Sequence, residues 1–234
     1  MNLKNAVALV TGGSSGIGFG IAKALIDGGA RVAITGRGKE RLMEAAADLG
    51  AHPIQADVSK EGDVERTYAE VLSKFGDLDI LVNNAGRGVF RPLIEMDLKG
   101  FEETFATNVT GVMLMTRAAA KIFIERKRGN VVNISSTASL RGAPMGTAYY
   151  ASKFALRGMT ECWRGELRKH NIRVFLINPS EVITNFGAAS GFNQKDNGSK
   201  LRPEDIAHMV KAVLEMNDRG FTPELSIFGT NPID

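Results

Sequence analysis

The chain has 234 residues, 44% of them hydrophobic and 24% charged, with a net charge of +3. That length suits one well-buried core and is short for two, and so mild a charge excludes the basic surface of a nucleic-acid binder while leaving room for an anionic ligand. One cysteine excludes an intrachain disulfide, three scattered histidines (His52, His170, His208) form no metal spacing, and no apolar run reaches membrane-spanning length.

In chain order, short β-branched runs at 7–11, 31–35, 53–56, 80–82, 130–134, 173–177 and 225–228 alternate with helical patterns near 17–28, 39–49, 61–75, 101–127, 149–169 and 203–216. The first apolar run is too short for a signal-peptide core and leads into a Gly-rich turn. Together with the lone cysteine, this predicts a cytoplasmic protein. Several strand runs lack polar alternation, as strands covered on both faces do. Alternating β and α units predict right-handed crossovers and an α/β doubly wound sheet of seven parallel strands, helices on both faces, in one domain over 1–234. The basic run 121–128 contains Glu125 and stops at Gly129, which reads as a solvated helix end. Cys162 stands beside Trp163 in an apolar helical pattern, where buried packing is expected. The Gly, Ser and Asn-rich stretch 185–201 leaves the carboxyl edge of the sheet, and such a loop reads as a lid over a substrate.

The first strand runs into Thr11-Gly12-Gly13-Ser14-Ser15-Gly16-Ile17-Gly18. Glycines let the backbone approach a pyrophosphate, and a helix opening there offers free N–H groups and a positive dipole end. The spacing of Gly12, Gly16 and Gly18 has one residue more in its first gap than the usual dinucleotide fingerprint. At the end of the second strand, where an acid would bind the adenosine ribose of NAD, stand Gly36 and Arg37. An arginine there pairs with a 2′-phosphate, which predicts NADP(H) in preference to NAD(H). Tyr149 and Lys153 are four residues apart, so a helix puts phenol and ammonium on one face. A positive charge beside the phenol is expected to lower its pKa and fit it to move a proton between an alcohol and a carbonyl. Tyr150 is also within helical reach of Lys153.

Taken together, these motifs resemble the short-chain dehydrogenase/reductase family, from about Lys4 to the region of Thr184. The likeness rests on the glycine turn, on Asp57-Val58 after the third strand, on Asn83-Asn84-Ala85-Gly86 after the fourth, on Asn108 in Thr107-Asn108-Val109, and on Ser136 thirteen residues before Tyr149. The resemblance implies a Rossmann-type domain and selects Tyr149 over Tyr150 as acid and base. It implies that Ser136 orients the substrate oxygen, that Lys153 tunes the phenol and binds the nicotinamide ribose, and that Asn108 holds a water relay. It assigns the cofactor to the turn residues Gly12, Ser14, Ser15, Gly16, Ile17 and Gly18. It adds Arg37, Asp57, Val58, Asn84, Ala85, Gly86, Tyr149 and Lys153, with Pro179, Val182 and Thr184 after the sixth strand.

Within the family the chain is most like 3-oxoacyl-[acyl-carrier-protein] reductases. Its short C-terminus is instead similar to members that reduce small polar carbonyls or hydroxy acids. Arg87 and Arg141 flank the motifs, where either could meet an anionic substrate or simply lie on the surface. Ser180 stands where the family commonly has glycine, which puts the local backbone in question. A homodimer or homotetramer with a small-molecule substrate, and no metal, nucleic-acid or membrane partner, is implied. Fold alone also admits a protein that binds NADP(H) without turnover.

Overall fold

The computed structural model describes residues 1–190 and 198–230. Seven strands form one parallel sheet in the order β3-β2-β1-β4-β5-β6-β7. They are β1 (Val7–Val10), β2 (Arg31–Gly36), β3 (His52–Gln55), β4 (Ile80–Asn83), β5 (Gly129–Ile134), β6 (Ile172–Pro179) and β7 (Glu224–Ile227). The strand order reverses between β1 and β4, which pair in register from Ala8 with Ile80 to Val10 with Val82. At such a reversal the chain leaves the two strand ends in opposite directions and opens a crevice.

Alternate residues of each strand feed two cores, because a strand's side chains point to opposite faces in turn. Ala8, Val10, Val32 and Ile34 pack under α1 (Gly16–Asp27) and α2 (Lys39–Leu49). Val7, Leu9 and Ala33 pack on the other face under α3 (Glu61–Phe75), with Tyr68 and Val71 among their neighbours. Strands buried on both sides need no polar face, which explains the uninterrupted apolar run at 7–10.

One helix expected over 101–127 is three pieces: α4 (Leu98–Phe105), a π-helical turn over Ala106–Gly111, and α5 (Val112–Arg126). Asp97 caps α4 by accepting from Gly100 N at 2.6 Å. The catalytic-motif tyrosine lies in α6 (Thr147–Leu167), a short α7 covers Phe186–Ala189, and α8 (Pro203–Glu215) packs on α1.

One surface expectation needs correction. Cys162 is exposed, because the buried stripe of α6 runs through Ala148, Ser152, Leu156 and Thr160 and the cysteine lies off it. The basic run is the solvated end of α5, with Lys121, Lys127 and Arg128 exposed, and Arg126 and Arg128 pair there with Asp77. Of the loop at 185–201, residues 191–197 lie outside the described residues. Its two ends meet: Val182 bridges Leu201, and Ile183 N donates to Leu201 O at 2.9 Å.

Candidate active site

The carboxyl ends of β1, β4, β5 and β6 frame a cleft of about 560 Å³. Every site residue expected from the sequence lines it except Gly18 and Asn108, which stand directly behind its wall.

The glycine turn is built for close approach. Gly12 and Gly16 have φ of 64° and 54°, in the left-handed region that favours glycine. A Cβ on Gly18 would fall 2.4 Å from both Gly12 O and Asn84 Nδ2. Ser15, at the N-cap of α1, makes no side-chain cap, so the first N–H groups of the helix remain for a ligand. The turn is clasped to β4 across the reversal. Thr11 Oγ1 accepts from Asn84 N and Ala85 N, each at 3.0 Å, while Asn84 Nδ2 donates to Thr11 O at 3.0 Å. Asn84 therefore shapes the cradle with its side chain as well as lining it.

At one end of the cleft, Gly36 ends β2 without a side chain, and a Cβ there would come 3.1 Å from Ser14 Oγ. Arg37 is exposed and lines the cleft, its carbonyl fixed by Gln55 Nε2 at 2.9 Å. Arg41, in the first turn of α2, lines it too. Sequence reasoning missed Arg41, although its spacing of four from Arg37 was a usable signal. Asp57 Oδ1 accepts from Ser59 N and Ser59 Oγ at 3.0 and 2.7 Å, which fixes this carboxylate at the rim. Val58 is buried against the π-turn, where a Cβ on Gly111 would be 2.8 Å from Val58 Cγ2. Two buried hydroxyls along the cleft, Thr35 Oγ1 and Ser135 Oγ, have no hydrogen-bond partner.

At the other end Ser136, Tyr149 and Lys153 converge. Lys153 is buried, and its Nζ donates to Ile134 O at 3.0 Å and lies 5.6 Å from the centroid of the Tyr149 ring. Burial lowers the ammonium to a pKa of about 8. The phenol moves against expectation. Enclosure raises Tyr149 to about 12; a hydrogen bond with the Ser136 hydroxyl opposes this, and Tyr150 adds to it. Desolvation outweighs the neighbouring charge here, because burial penalises phenolate and ammonium alike. The site thus holds a protonated phenol.

Asn108 sits in the π-turn with 1% exposure. Its Oδ1 accepts from Arg87 N at 2.9 Å, and its Nδ2 donates to Arg87 O at 2.8 Å and to Ser152 Oγ at 2.9 Å. The side chain spends both amide hydrogens and one oxygen lone pair on protein partners and locks the loop after β4 to α6. Arg87 pairs with Glu103, and neither it nor Arg141 lines the cleft. Ser180 has no positive φ, so serine in place of glycine costs no backbone strain; its N–H donates to Ile227 O at 2.8 Å. Thr184 approaches the glycine turn, its Cγ2 lying 3.2 Å from where a Cβ on Gly16 would be. Phe90 and Phe186, which sequence reasoning did not single out, also line the cleft.

With this geometry in hand, likeness to known proteins is informative. Residues 6–195 match the family described as short chain dehydrogenase. A 3alpha-hydroxysteroid dehydrogenase of Mediterraneibacter gnavus is 38% identical over 199 residues, 81% of this chain and 78% of that protein. The alcohol dehydrogenase of the archaeon Thermococcus sibiricus, solved with 5-hydroxy-NADP, superimposes with a TM-score of 0.89 at 31% identity, covering 99% of this chain and 100% of that one. The 3-ketoacyl-(acyl-carrier-protein) reductase of Brucella melitensis, solved with NADH, gives 0.91 at 33% identity, covering 97% and 98%. Among the described residues, no helix is long and apolar enough to cross a membrane, and no group of metal-binding side chains occurs.

Proposed function

This chain belongs to the short-chain dehydrogenase family and is an oxidoreductase of that kind; on that premise we propose that it interconverts a carbonyl and a secondary alcohol with NADP(H), Tyr149 serving as acid and base. The observation that carries this is the meeting of Ser136, Tyr149 and Lys153 at one end of a dinucleotide-sized cleft. When bound, the nicotinamide cofactor supplies or accepts the hydride. The residues fit such a group: a glycine cradle that tolerates no Cβ and an uncapped helix start.

Each protein group then has a task. Ser136 holds the substrate oxygen beside the phenol. Tyr149, still protonated well above neutral pH, gives its proton as that oxygen gains charge, and takes it back in the reverse direction. Lys153 places an ammonium where phenolate would form, easing the transfer, and reaches toward the nicotinamide ribose. Asn108 holds the loop after β4 and the Tyr149 helix in register, which keeps a proton path beside Lys153.

The two structural relatives were solved with different cofactors, so the preference for NADP(H) rests on this chain's own residues. No carboxylate ends β2, and Arg37 and Arg41 line the rim where a 2′-phosphate would lie. The chain is proposed to act as one domain with its loop at 185–201 beside the substrate, and as a cytoplasmic homodimer or homotetramer through the outer faces of α5 and α6, where Ile124 and Phe154 are exposed. The test compares kcat/KM for NADPH and NADH with one ketone held constant. A ratio above about ten is expected, which corresponds to roughly 1.4 kcal/mol; equal values would refute the NADP(H) assignment.

A further inference from the structure

The reacting end of the cleft is walled by rings. The centroids of Phe90 and Phe186 lie 5.3 and 5.5 Å from that of Tyr149, tilted by 49° and 51°, and Tyr150 stands edge-on at 6.1 Å. Phe90 comes from the segment after β4 and Phe186 opens α7 after β6, so the two converge over the end of β5 from either side. Gly88 permits the approach: a Cβ there would come 2.8 Å from Phe90 Cε2 and 3.0 Å from Phe186 Cζ.

Charge is withheld from the same end. Arg91 is held by Asp97 at 2.8 Å, Arg87 by Glu103, and Glu181 by Lys200. Among the described residues lining the cleft near Tyr149, the one cationic side chain is Lys153, which already donates to Ile134 O. A carboxylate or phosphate on the substrate would lose its hydration there without gaining a spare cationic partner among the described residues. An apolar body would gain in proportion to the area it hides from water. Leu93, Leu140 and Met145, all exposed, carry the same apolar character onto the loops beyond β4 and β5, which are joined where Arg91 N donates to Met145 O at 2.7 Å.

Deepening the proposed function, and resting on it, we infer that the substrate is a neutral hydrophobic ketone or secondary alcohol with a ring-sized apolar body beside the reacting carbon, gripped by Phe90 and Phe186. Rings tilted against Tyr149 from two sides select a broad, rigid partner over a thin chain, and the lack of a spare cation among the described residues lining this end selects against acids. This inference departs from both a small hydroxy acid and a carrier-bound linear acyl group as the preferred substrate.

The experiment follows NADPH absorbance with the full chain on four probes: 2-decalone, cyclohexanone, acetoacetate, and the N-acetylcysteamine thioester of acetoacetate. The expected result is a kcat/KM on 2-decalone at least tenfold above that on acetoacetate and on the thioester, with cyclohexanone between. Phe90→Ala and the milder Phe186→Leu should each raise KM for 2-decalone severalfold or more, with a smaller effect on cyclohexanone and no change in NADPH affinity by fluorescence. Preference for acetoacetate or the thioester overturns this inference and leaves the reductase reading intact. An equal loss on all four ketones in the variants overturns the selective role of the two rings. No turnover of any probe by a chain that binds NADPH overturns the reductase reading, and this inference with it.

Discussion

Asn108 and Ser152 are joined by a buried hydrogen bond of 2.9 Å, and Ser152 Oγ in turn donates to the carbonyl of Tyr149 at 2.7 Å. The π-turn is thereby fastened to the first turn of the helix that carries the phenol. Replacing Ser152 by Ala removes both bonds. A net loss of about 1–2 kcal/mol in stability is expected, together with a fall in kcat of roughly tenfold from the misplaced phenol and little change in NADPH affinity. Urea unfolding and steady-state kinetics measure the two effects. An unchanged kcat in the destabilised variant would reduce the serine to a purely structural part.

Tyr149→Phe keeps the ring that packs between Phe90 and Phe186 and deletes only the proton. Loss of a positioned acid is expected to lower kcat by about 10²–10⁴, while NADPH binding, read from its fluorescence, stays within about twofold. Wild-type turnover in this variant would end the role of the phenol as acid and base.

Arg37→Ala should weaken NADPH relative to NADH. A charge-assisted hydrogen bond is worth about 1.5–3 kcal/mol, or roughly 10–100-fold, with the lower figure expected because Arg37 is exposed. Arg41→Ala should act in the same direction, and both effects should shrink with added salt. Kinetics with the two cofactors at low and high ionic strength test this.

Burial brings the titration of Lys153 into the accessible range. Its pKa falls to about 8 from 10.5, Tyr149 rises to about 12, and neither histidine nor cysteine lines the cleft among the described residues. A lysine depressed in this way is charged below about pH 8 and neutral above it. Affinity for an anionic dinucleotide should therefore weaken as pH rises through about 8, and binding above that point should take up a proton. Calorimetry in buffers of different ionisation enthalpy checks the uptake, and Lys153→Met should bind with no pH dependence in this window.

Gly18→Ala tests the cradle. The added methyl meets backbone oxygen and a clasped amide at 2.4 Å, neither of which can move without opening the junction of β1 and β4. A loss of about 1–3 kcal/mol is expected, with NADPH affinity falling alongside it; a thermal melt and a binding titration would show both.

Much of this was legible in the residues. The apolar run at 7–10 announced a strand buried on both sides, and the glycine turn, the Asn84 segment and the Tyr149 pair came together in one cleft as expected. What escaped depended on three-dimensional context. The π-turn at 106–111 left no mark because Ala-Thr-Asn-Val-Thr-Gly carries no proline and keeps the apolar rhythm on both sides. Cys162 looked buried because Trp163 beside it is apolar, yet adjacent helical positions point about 100° apart and one can be exposed while the other packs. The direction of the Tyr149 shift was misjudged because spacing reveals a neighbour but not how much water is lost. Phe90 and Phe186 could not be paired from sequence, since nearly a hundred residues separate them and the space over Gly88 lets them meet.

The π-turn also ties the folding of α4 to the chemistry. Widening one coil by a residue advances everything beyond it by about a quarter turn, so α4 and α5 present differently rotated faces to their neighbours, and Asn108 stands at the step between them. Deleting any one residue in 106–111 would restore a smooth helix and rotate α4 out of its seat while swinging the amide off Ser152. A shorter and outwardly more regular helix would therefore cost the protein its anchorage and its catalytic alignment together.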